Sequence, residues 1–495
     1  MSLDTEVIAQ ARFANLAHSL QRIGDLPEWL VAPMQPQPLV AALERHVPEF
    51  ASGDLAIRRC KPDRLRLKGQ VWEALYVLTV DGPDQQVGRE IKLAGTCTPP
   101  DVERVPVASD GPFGSPTWRV YVPELRLDLW MSFEDEALET LPVLMDAEQA
   151  RALLEQSIRA CSPAYAEMRL KSARPRVARY KPGTRATIVY DLEYMVESGV
   201  GSAWPDMVIA KTYSKDKGRN AYEAMSKLWA SPLSKGDVVA IAEPLAYIPE
   251  HKVLIQGPVR GDGDLKDLLK EALRANRSET LVELYDITRK TAAGLAALHQ
   301  SGARHGETIT WEVELDEIRG EVEKLSAVFP WFADVANPLL AQLAALAEER
   351  AADPTLPAHR SFRPQQVLVH DGNVGFIDFD GFCLAEPALD IALFRATIKE
   401  MGINTSPSDK QKEFMYPSEE ARLERMAQLD AICEAFLVEY ERFAPVSRQR
   451  VALWEALDLL TVVLRCWTKV KPHQLDNAMA LLQAHLHSAG WTDVR

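Results

Sequence analysis

The sequence predicts an α+β protein with antiparallel sheets in its N-terminal half and mainly helices in its C-terminal half. Residues 55–93 and 177–211 are rich in β-branched and alternating residues and are divided by Gly and Pro turns. Beyond residue 265 the segments read mostly as helices. The exception is the turn Asp371-Gly372-Asn373 between two apolar runs, which is a strong β-hairpin signal.

Composition places the chain among soluble globular proteins. Its 495 residues suggest two or three domains, and 47% of them are hydrophobic and 26% charged. No apolar run approaches the ~18 residues that would predict a membrane span. The six cysteines are scattered singly and the start lacks an apolar signal core, so we expect reduced thiols and a cytoplasmic location. A net charge of −15 argues against a nucleic-acid binder.

The N-terminal region reads as helices followed by an antiparallel sheet. Apolar residues at Val7, Phe13, Leu16 and Leu20 follow helical spacing. A second helix is predicted over Leu39 to His46. The predicted strands are Leu55 to Arg59, Leu65 to Leu67, Val71 to Val80, Val87 to Leu93, Trp118 to Val122 and Leu125 to Trp130.

A similar sequence pattern recurs further along the chain. The pattern Lys61-Pro62 is followed by strands and by Lys92, and the pattern Lys181-Pro182 is followed by strands and by Lys211. The shared order predicts that the N-terminal sheet duplicates the later one. Two unrelated antiparallel sheets are the alternative.

Domain boundaries follow from these segments. A helix from Asp146 to Ala160 opens the second β-rich region, and a glycine-rich connector begins at Gly257. We therefore predict an N-terminal accessory domain over 1–145, a second domain over 146–257 and a helical domain over 258–495.

The hairpin brings two polar loops together at its open end. One loop carries His359, Ser361 and Gln366, and the other carries Asp378 and Asp380. An aspartate at the exit of a buried strand costs free energy unless it is paired or binds a metal. A turn-capping role is the alternative for both aspartates.

These loops resemble the catalytic segment of the aminoglycoside and choline phosphotransferases, a branch of the protein-kinase-like fold. His359 and Arg360 match the opening of the family's catalytic loop, and Asp378 matches its metal-binding aspartate in an I-D-F pattern. Asp390 matches an aspartate that usually follows. Two positions depart from the pattern, since Ser361 replaces the catalytic aspartate and Gln366 replaces the metal-binding asparagine.

The resemblance implies a bilobal fold, with an antiparallel-sheet small lobe and a mainly helical large lobe, that binds ATP and Mg²⁺. Lys211 would bind the α- and β-phosphates and Glu223 would hold that lysine. Gln256 and Val259, at the hinge between the lobes, would bind the nucleotide. Asp378 and Gln366 would bind the metal, the glutamine through its amide oxygen. An exposed strand-end lysine and an ordinary helix-surface glutamate are the alternatives for Lys211 and Glu223.

Ser361, His359 and Asp380 are the candidate catalytic residues. A serine hydroxyl is neither anionic nor basic at pH 7, so it cannot replace an aspartate directly. Asp380 or a water could serve instead, because the transition state of phosphoryl transfer is loose. We expect His359 to brace the loop. No G-x-S-x-G pattern surrounds Ser361, which argues against an acyl-transfer nucleophile.

Three functions are consistent with this sequence. The first is an ATP-dependent phosphotransferase that phosphorylates a hydroxyl of a small molecule. The second is a catalytically inactive pseudokinase that binds a nucleotide or metabolite, or a protein partner through its N-terminal domain. The third is a nucleotidyl transferase with the same fold. Retention of Lys211 and Asp378 favours an enzyme, whereas loss of the catalytic aspartate and asparagine favours a pseudokinase. No partner nucleic acid or membrane is expected.

Overall fold

The computed structural model describes residues 20–82, 88–103, 111–132, 138–161, 163–195, 204–406, 416 and 418–491. The helix predicted through Val7, Phe13 and Leu16 lies outside these residues. Contacts divide the chain into two compact units. Unit 1 comprises Met1–Glu134, Trp311–Glu349 and Ala456–Arg495, and unit 2 comprises Asp135–Thr310 and Arg350–Glu455.

The described part of the chain mixes helices and strands throughout. The helices are α1 (Glu28–Val31), α2 (Pro36–His46), α3 (Pro48–Ala51), α4 (Leu141–Met145), α5 (Ala147–Cys161), α6 (Gly218–Trp229), α7 (Leu265–Ala275), α8 (Ser278–His299), α9 (Trp311–Ser326), α10 (Trp331–Glu348), α11 (Ala388–Ile403), α12 (Glu419–Glu441), α13 (Arg448–Thr468) and α14 (Pro472–Ser488). The strands are β1 (Ala56–Lys68), β2 (Val71–Asp81), β3 (Arg89–Cys97), β4 (Arg119–Val122), β5 (Leu127–Met131), β6 (Leu170–Lys181), β7 (Arg185–Tyr194), β8 (Met207–Tyr213), β9 (Ala240–Ile241), β10 (Pro244–Ile248), β11 (Val253–Gln256), β12 (Gly263–Asp264), β13 (Thr308–Ile309), β14 (Leu356–Ala358), β15 (Val367–His370), β16 (Asn373–Phe376) and β17 (Cys383–Ala385).

Unit 1 is built on a five-stranded antiparallel sheet in the order β1-β2-β3-β5-β4. Helix α2 packs on β1 and β4. Its aromatic core includes Trp72 and Trp467, both fully buried. The indole of Trp72 donates to the Trp467 carbonyl (3.3 Å), and the indole of Trp467 donates to the Ile23 carbonyl (3.0 Å). These bonds satisfy the polar edge of each buried ring.

Unit 2 contains a second sheet with the same strand order, β6-β7-β8-β11-β10. Helix α5 packs on β6 and β10, just as α2 packs on the first and fourth strands of its own sheet. In both sheets one left-handed residue, Arg126 or Lys252, precedes the fifth strand. The predicted duplication of the sheet is therefore confirmed at the level of topology.

The lysines that suggested the duplication nevertheless do not occupy equivalent positions in the two sheets. Lys211 pairs with Thr187, the third residue of β7, whereas the third residue of β2 pairs with Thr96. Thr96, and not Lys92, thus stands where the second sheet has Lys211. Likewise Lys61 lies inside β1, whereas Lys181 ends β6. The similar Lys-Pro patterns are therefore a coincidence, whereas the two sheets do share their strand order.

Two predicted strand boundaries were wrong. The break expected between Arg59 and Leu65 is absent, because β1 runs without interruption through Pro62 as an edge strand, where a missing amide proton is tolerated. The apolar run from Val374 to Phe379 predicts the second strand of the hairpin, but that strand ends at Phe376. Asp378 consequently lies in the loop beyond the strand rather than at its end.

The helical part of unit 2 holds the β15–β16 hairpin in place. The hairpin is present as predicted, but Asn373, which was expected in the turn, begins β16, and pairing runs from His370 opposite Asn373 to Val367 opposite Phe376. Packed aromatic rings then connect the hairpin to α11 and α12, with centroid distances of 4.8 Å (Phe362 and Phe376, edge to face), 5.3 Å (Phe362 and Phe394, tilted) and 4.3 Å (Phe394 and Phe436, stacked). The loop around residue 361 is therefore anchored by buried aromatic packing.

These elements confirm the α+β class and the additional N-terminal sheet. The boundaries predicted at residues 145 and 257 remain a proposal beside the two contact-defined units. Among the helices of the described residues, none has both the length and the apolar character needed to cross a membrane.

Candidate active site

The loop after β16 presents two aspartates through an unusual backbone conformation. The Ile377 amide donates to the Gln366 carbonyl (3.1 Å), which continues the contact between the two arms of the hairpin. Asp378 then adopts a left-handed conformation with φ of 75°. Non-glycine residues rarely adopt this conformation, and it recurs at functional sites. The short turn Phe379–Gly381 follows and carries Asp380.

Arg185 and Lys211 pair with these aspartates. Lys211 Nζ lies 3.0 Å from Asp378 Oδ1 and 3.6 Å from Asp380 Oδ1. Arg185 Nη1 lies 3.3 Å from Asp378 Oδ1 and 3.0 Å from Asp380 Oδ2, and its Nη2 lies 3.4 Å from Asp378 Oδ2. Tyr213 donates to Asp380 Oδ1 at 2.9 Å. We call these five residues the charge cluster.

Electrostatics keeps Asp378 and Lys211 ionised and keeps Tyr213 neutral. Burial favours the neutral form of Asp378, but Lys211 and Arg185 outweigh it and hold the pKa of that carboxyl well below its ordinary value. Burial similarly opposes the charge of Lys211, yet the two aspartates raise the pKa of its ammonium group. Burial and Asp380 together raise the pKa of the Tyr213 hydroxyl far above its usual range.

Arg185, Tyr213 and Asn220 are site residues that sequence reasoning missed. Asn220, in the first turn of α6, donates to the carbonyls of Asp380 (3.3 Å) and Phe382 (3.1 Å) and so fixes the aspartate loop to this helix. A signal for Arg185 was present, since it closes the turn Lys181-Pro182-Gly183-Thr184 between two strands. Arg185 pairs with Tyr213, two residues beyond Lys211 on β8, so the Arg185 and Lys211 side chains lie on the same face of the sheet.

His359 and Ser361 form a hydrogen-bonded pair on the opposing loop. His359 is fully buried, and burial lowers the pKa of its imidazole. Its Nε2 lies 3.0 Å from the Ile377 carbonyl, and its Nδ1 lies 3.2 Å from Ser361 Oγ. Its backbone amide donates to Asp390 at 2.6 Å. His359 therefore links the two loops, in agreement with the bracing role expected for it.

Gln366 provides a test of whether the loops suit a divalent cation. Its side chain is buried, and its Oε1 has no hydrogen-bond partner among the described residues. A buried carbonyl oxygen without a partner costs free energy unless something binds it. An amide oxygen and a carboxylate are both ligands that Mg²⁺ accepts. Gln366 and Asp378 thus fit the metal that the resemblance implies.

The other predicted nucleotide-site residues lie outside the charge cluster. Glu223 is half-exposed, and its Oε2 lies 3.6 Å from His305 Nε2, so the structure does not bring it to Lys211. Gln256 ends β11, where it pairs with Ile209 of β8. Val259 packs on the hairpin, because a Cβ atom added to Gly375 would lie 2.4 Å from its Cγ1.

One segment of this chain matches the model of a known protein family. Residues 219–413 match the family model described as "Phosphotransferase enzyme family" (APH). The predicted resemblance to this family is confirmed over this segment, which is less than half of the chain. It contains both loops at the open end of the hairpin and every predicted site residue except Lys211.

Solved structures with related arrangements are distant from this chain. Choline kinase from Cryptosporidium parvum Iowa II is 13% identical, with 69% of this chain and 95% of that one covered and a TM-score of 0.42. A glucosamine kinase is 14% identical, with 93% and 98% covered and a TM-score of 0.43. The ADP-bound aminoglycoside phosphotransferase APH(2'')-Ib is 11% identical, with 63% and 92% covered and a TM-score of 0.38. None of the curated proteins matches the chain in sequence.

Arg185 precedes the matched segment 219–413 in the sequence, yet it contacts Asp378 and Asp380 of that segment. We expect Arg185→Ala to leave these carboxylates partly uncompensated and so to increase their affinity for cations. Adding MgCl₂ should then raise the melting temperature of the variant more than that of the parent protein, because a ligand of the native state stabilises it.

A matched control is Arg174→Ala, which removes an exposed arginine that pairs with Glu193 on the same sheet. Its melting temperature should respond to MgCl₂ as that of the parent protein does. Equal responses of all three proteins would contradict the role given to Arg185.

Proposed function

We propose that this chain is an ATP-dependent phosphotransferase that phosphorylates a hydroxyl of a small molecule. The supporting observation is the 3.0 Å contact between Lys211 and Asp378, which joins residues 167 positions apart. A cation on a strand of the sheet thereby meets an aspartate of the phosphotransferase segment. Phosphoryl transfer depends on such placement of charge more than on covalent chemistry by the protein.

In this proposal each charged group has a distinct task. Lys211 binds the phosphates of ATP, and Gln256 and Val259 lie beside the nucleotide. Gln366 and Asp378 would hold Mg²⁺, which neutralises the negative charge of the phosphates when bound. Glu223 was expected to hold Lys211. In this proposal Asp378 and Asp380 hold it instead, because they are the carboxylates that Lys211 contacts.

The loop residues would orient the acceptor. His359 stays neutral because burial lowers the pKa of its imidazole, and it holds the loop through Ile377 and Ser361. Asp380 is the carboxylate available to attract the acceptor's proton, since Ser361 has no negative charge. A loose transition state requires little help from a base.

A pseudokinase that binds a nucleotide without turnover is the second candidate. The observation in its favour is that each carboxylate oxygen of Asp378 and Asp380 already has a partner within the charge cluster. A bound metal would compete with Arg185 for these oxygens. In this second function the N-terminal sheet would be the surface for a protein partner.

Calorimetric titration with ATP, in the presence and absence of MgCl₂, tests the nucleotide site. We expect the parent protein to bind ATP with a requirement for Mg²⁺ and the variant Lys211→Ala to lose this binding. Loss of a charged hydrogen bond of this kind costs roughly 1.5–3 kcal/mol, or about 10- to 100-fold in affinity.

Lys92→Ala is the matched control for this titration. Lys92 is an exposed strand lysine of the N-terminal sheet, and its replacement should leave ATP binding unchanged. If the parent protein and Lys92→Ala fail to bind ATP at all, both proposed functions that rest on a nucleotide are wrong.

A further inference from the structure

The hydroxyl of Ser361 has a defined hydrogen-bond direction. The Ile377 carbonyl can only accept, so the 3.0 Å contact requires a proton on His359 Nε2. A neutral imidazole then has a lone pair on Nδ1. Ser361 Oγ, 3.2 Å away, must therefore donate its proton to His359 Nδ1. Within the described parts of the chain, this contact to His359 is the hydrogen bond recorded for the Ser361 hydroxyl.

Ser361 also lies beside the loop that carries the charge cluster. A Cβ atom added to Gly381 would lie 3.9 Å from Ser361 Oγ. Gly381 directly follows Asp380, whose carboxylate is held by Arg185 and Lys211. Ser361 is partly exposed, whereas His359 is fully buried. The partly exposed serine thus lies beside the loop whose Asp380 is contacted by Lys211, the cation proposed to bind phosphate groups.

We propose that Ser361 is itself a phosphoryl acceptor and becomes phosphoserine in the presence of a nucleoside triphosphate. The inference rests on the proposed function, because the same nucleotide site supplies the phosphoryl group. A partly exposed alcohol at a phosphotransferase site belongs to the same chemical class as the alcohol of a small-molecule acceptor. An aspartate at this position would offer no hydroxyl.

The reaction balances with the groups present and one nucleoside triphosphate. A bond forms between Ser361 Oγ and the γ-phosphorus, and the bond from the γ-phosphorus to the bridging β,γ-oxygen breaks. Its electron pair leaves with the nucleoside diphosphate. The hydroxyl proton is released to solvent as the new bond forms, and His359 remains neutral.

The product changes the charge at this point of the loop. Phosphoserine carries about −1.5 to −2 charges near pH 7. Phosphorylation would therefore restore negative charge at the position where serine stands in place of an aspartate. Arg185 and Lys211, on the facing sheet, provide positive charge in the same site.

Intact-mass spectrometry, followed by peptide mapping, tests this inference on the full chain. The protein is first treated with phosphatase and then incubated with ATP and MgCl₂. We expect a mass gain of one phosphoryl group, located on Ser361. Ser361→Ala should lose the gain, and Ser361→Thr should retain it because the hydroxyl is kept.

Ser226→Ala serves as the matched control, because the Ser226 hydroxyl is bound to the Tyr222 carbonyl on α6. This variant should gain mass as the parent protein does. ATP binding by calorimetry, measured on the same samples, separates the two proposals. Binding without a mass gain, or a gain that persists in Ser361→Ala, would overturn the role of Ser361 and leave the nucleotide site standing. Absence of binding would overturn both.

Discussion

Replacing Glu455 with glutamine is expected to lower the free energy of unfolding by about 3–5 kcal/mol, because it leaves buried Arg395 without its carboxylate partner and leaves Lys399 with Asp430 alone. Glu455 is fully buried, and its carboxylate lies 2.6 Å from Arg395 Nε and 2.6 Å from Lys399 Nζ. Burial opposes the charge on Lys399, but Glu455 holds the pKa of that ammonium above its ordinary range. Denaturant unfolding of the purified variant, followed by circular dichroism, measures the loss.

Glu148→Gln is the control for this stability measurement. Glu148 pairs with Arg151 on the surface of α5, where 80% of its side chain is exposed. Such a pair contributes about 0.2–1 kcal/mol, so the control should unfold almost as the parent protein does. A loss in Glu455→Gln no larger than that of the control would mean that water or other groups neutralise Arg395 and Lys399.

Replacing Asp378 with asparagine is expected to abolish the dependence of ATP binding on magnesium. The carboxylate is the proposed metal ligand, and its low pKa keeps it ionised through the neutral and mildly acidic range. Changes in the surroundings of a metal ligand alone cost about 10–100-fold in metal affinity, and loss of the ligand's charge should cost at least as much. Calorimetric titration of ATP at increasing MgCl₂ concentrations measures the effect.

Asp371→Asn makes the same chemical change in the turn of the same hairpin. Asp371 is exposed and has φ of 48°, a conformation that asparagine tolerates well. Magnesium dependence should persist in this control. If it also persists in Asp378→Asn, then Asp378 does not bind the metal and its pairing with Lys211 and Arg185 is structural.

The sequence by itself determined the local elements and the two loops of the site. Strand alternation and the Asp371-Gly372 turn placed the β15–β16 hairpin correctly, because a hairpin depends on neighbouring residues. The I-D-F pattern singled out Asp378, and the position of Lys211 at a strand next to a helix singled out that lysine. These assignments required only short-range spacing, together with a resemblance carried by short motifs.

The tertiary structure alone decided which charges meet. The sequence suggested that Glu223 pairs with Lys211, but this lysine contacts Asp378 and Asp380 instead. Arg185, at the end of a turn far away in the sequence, pairs with the same two aspartates. Sheet register also decided that Thr96 corresponds to Lys211. Both results depend on pairings between residues far apart in the chain. Hydrophobic pattern and turn chemistry fix which segments become strands, but the partner of a charged side chain depends on how those strands pack and pair.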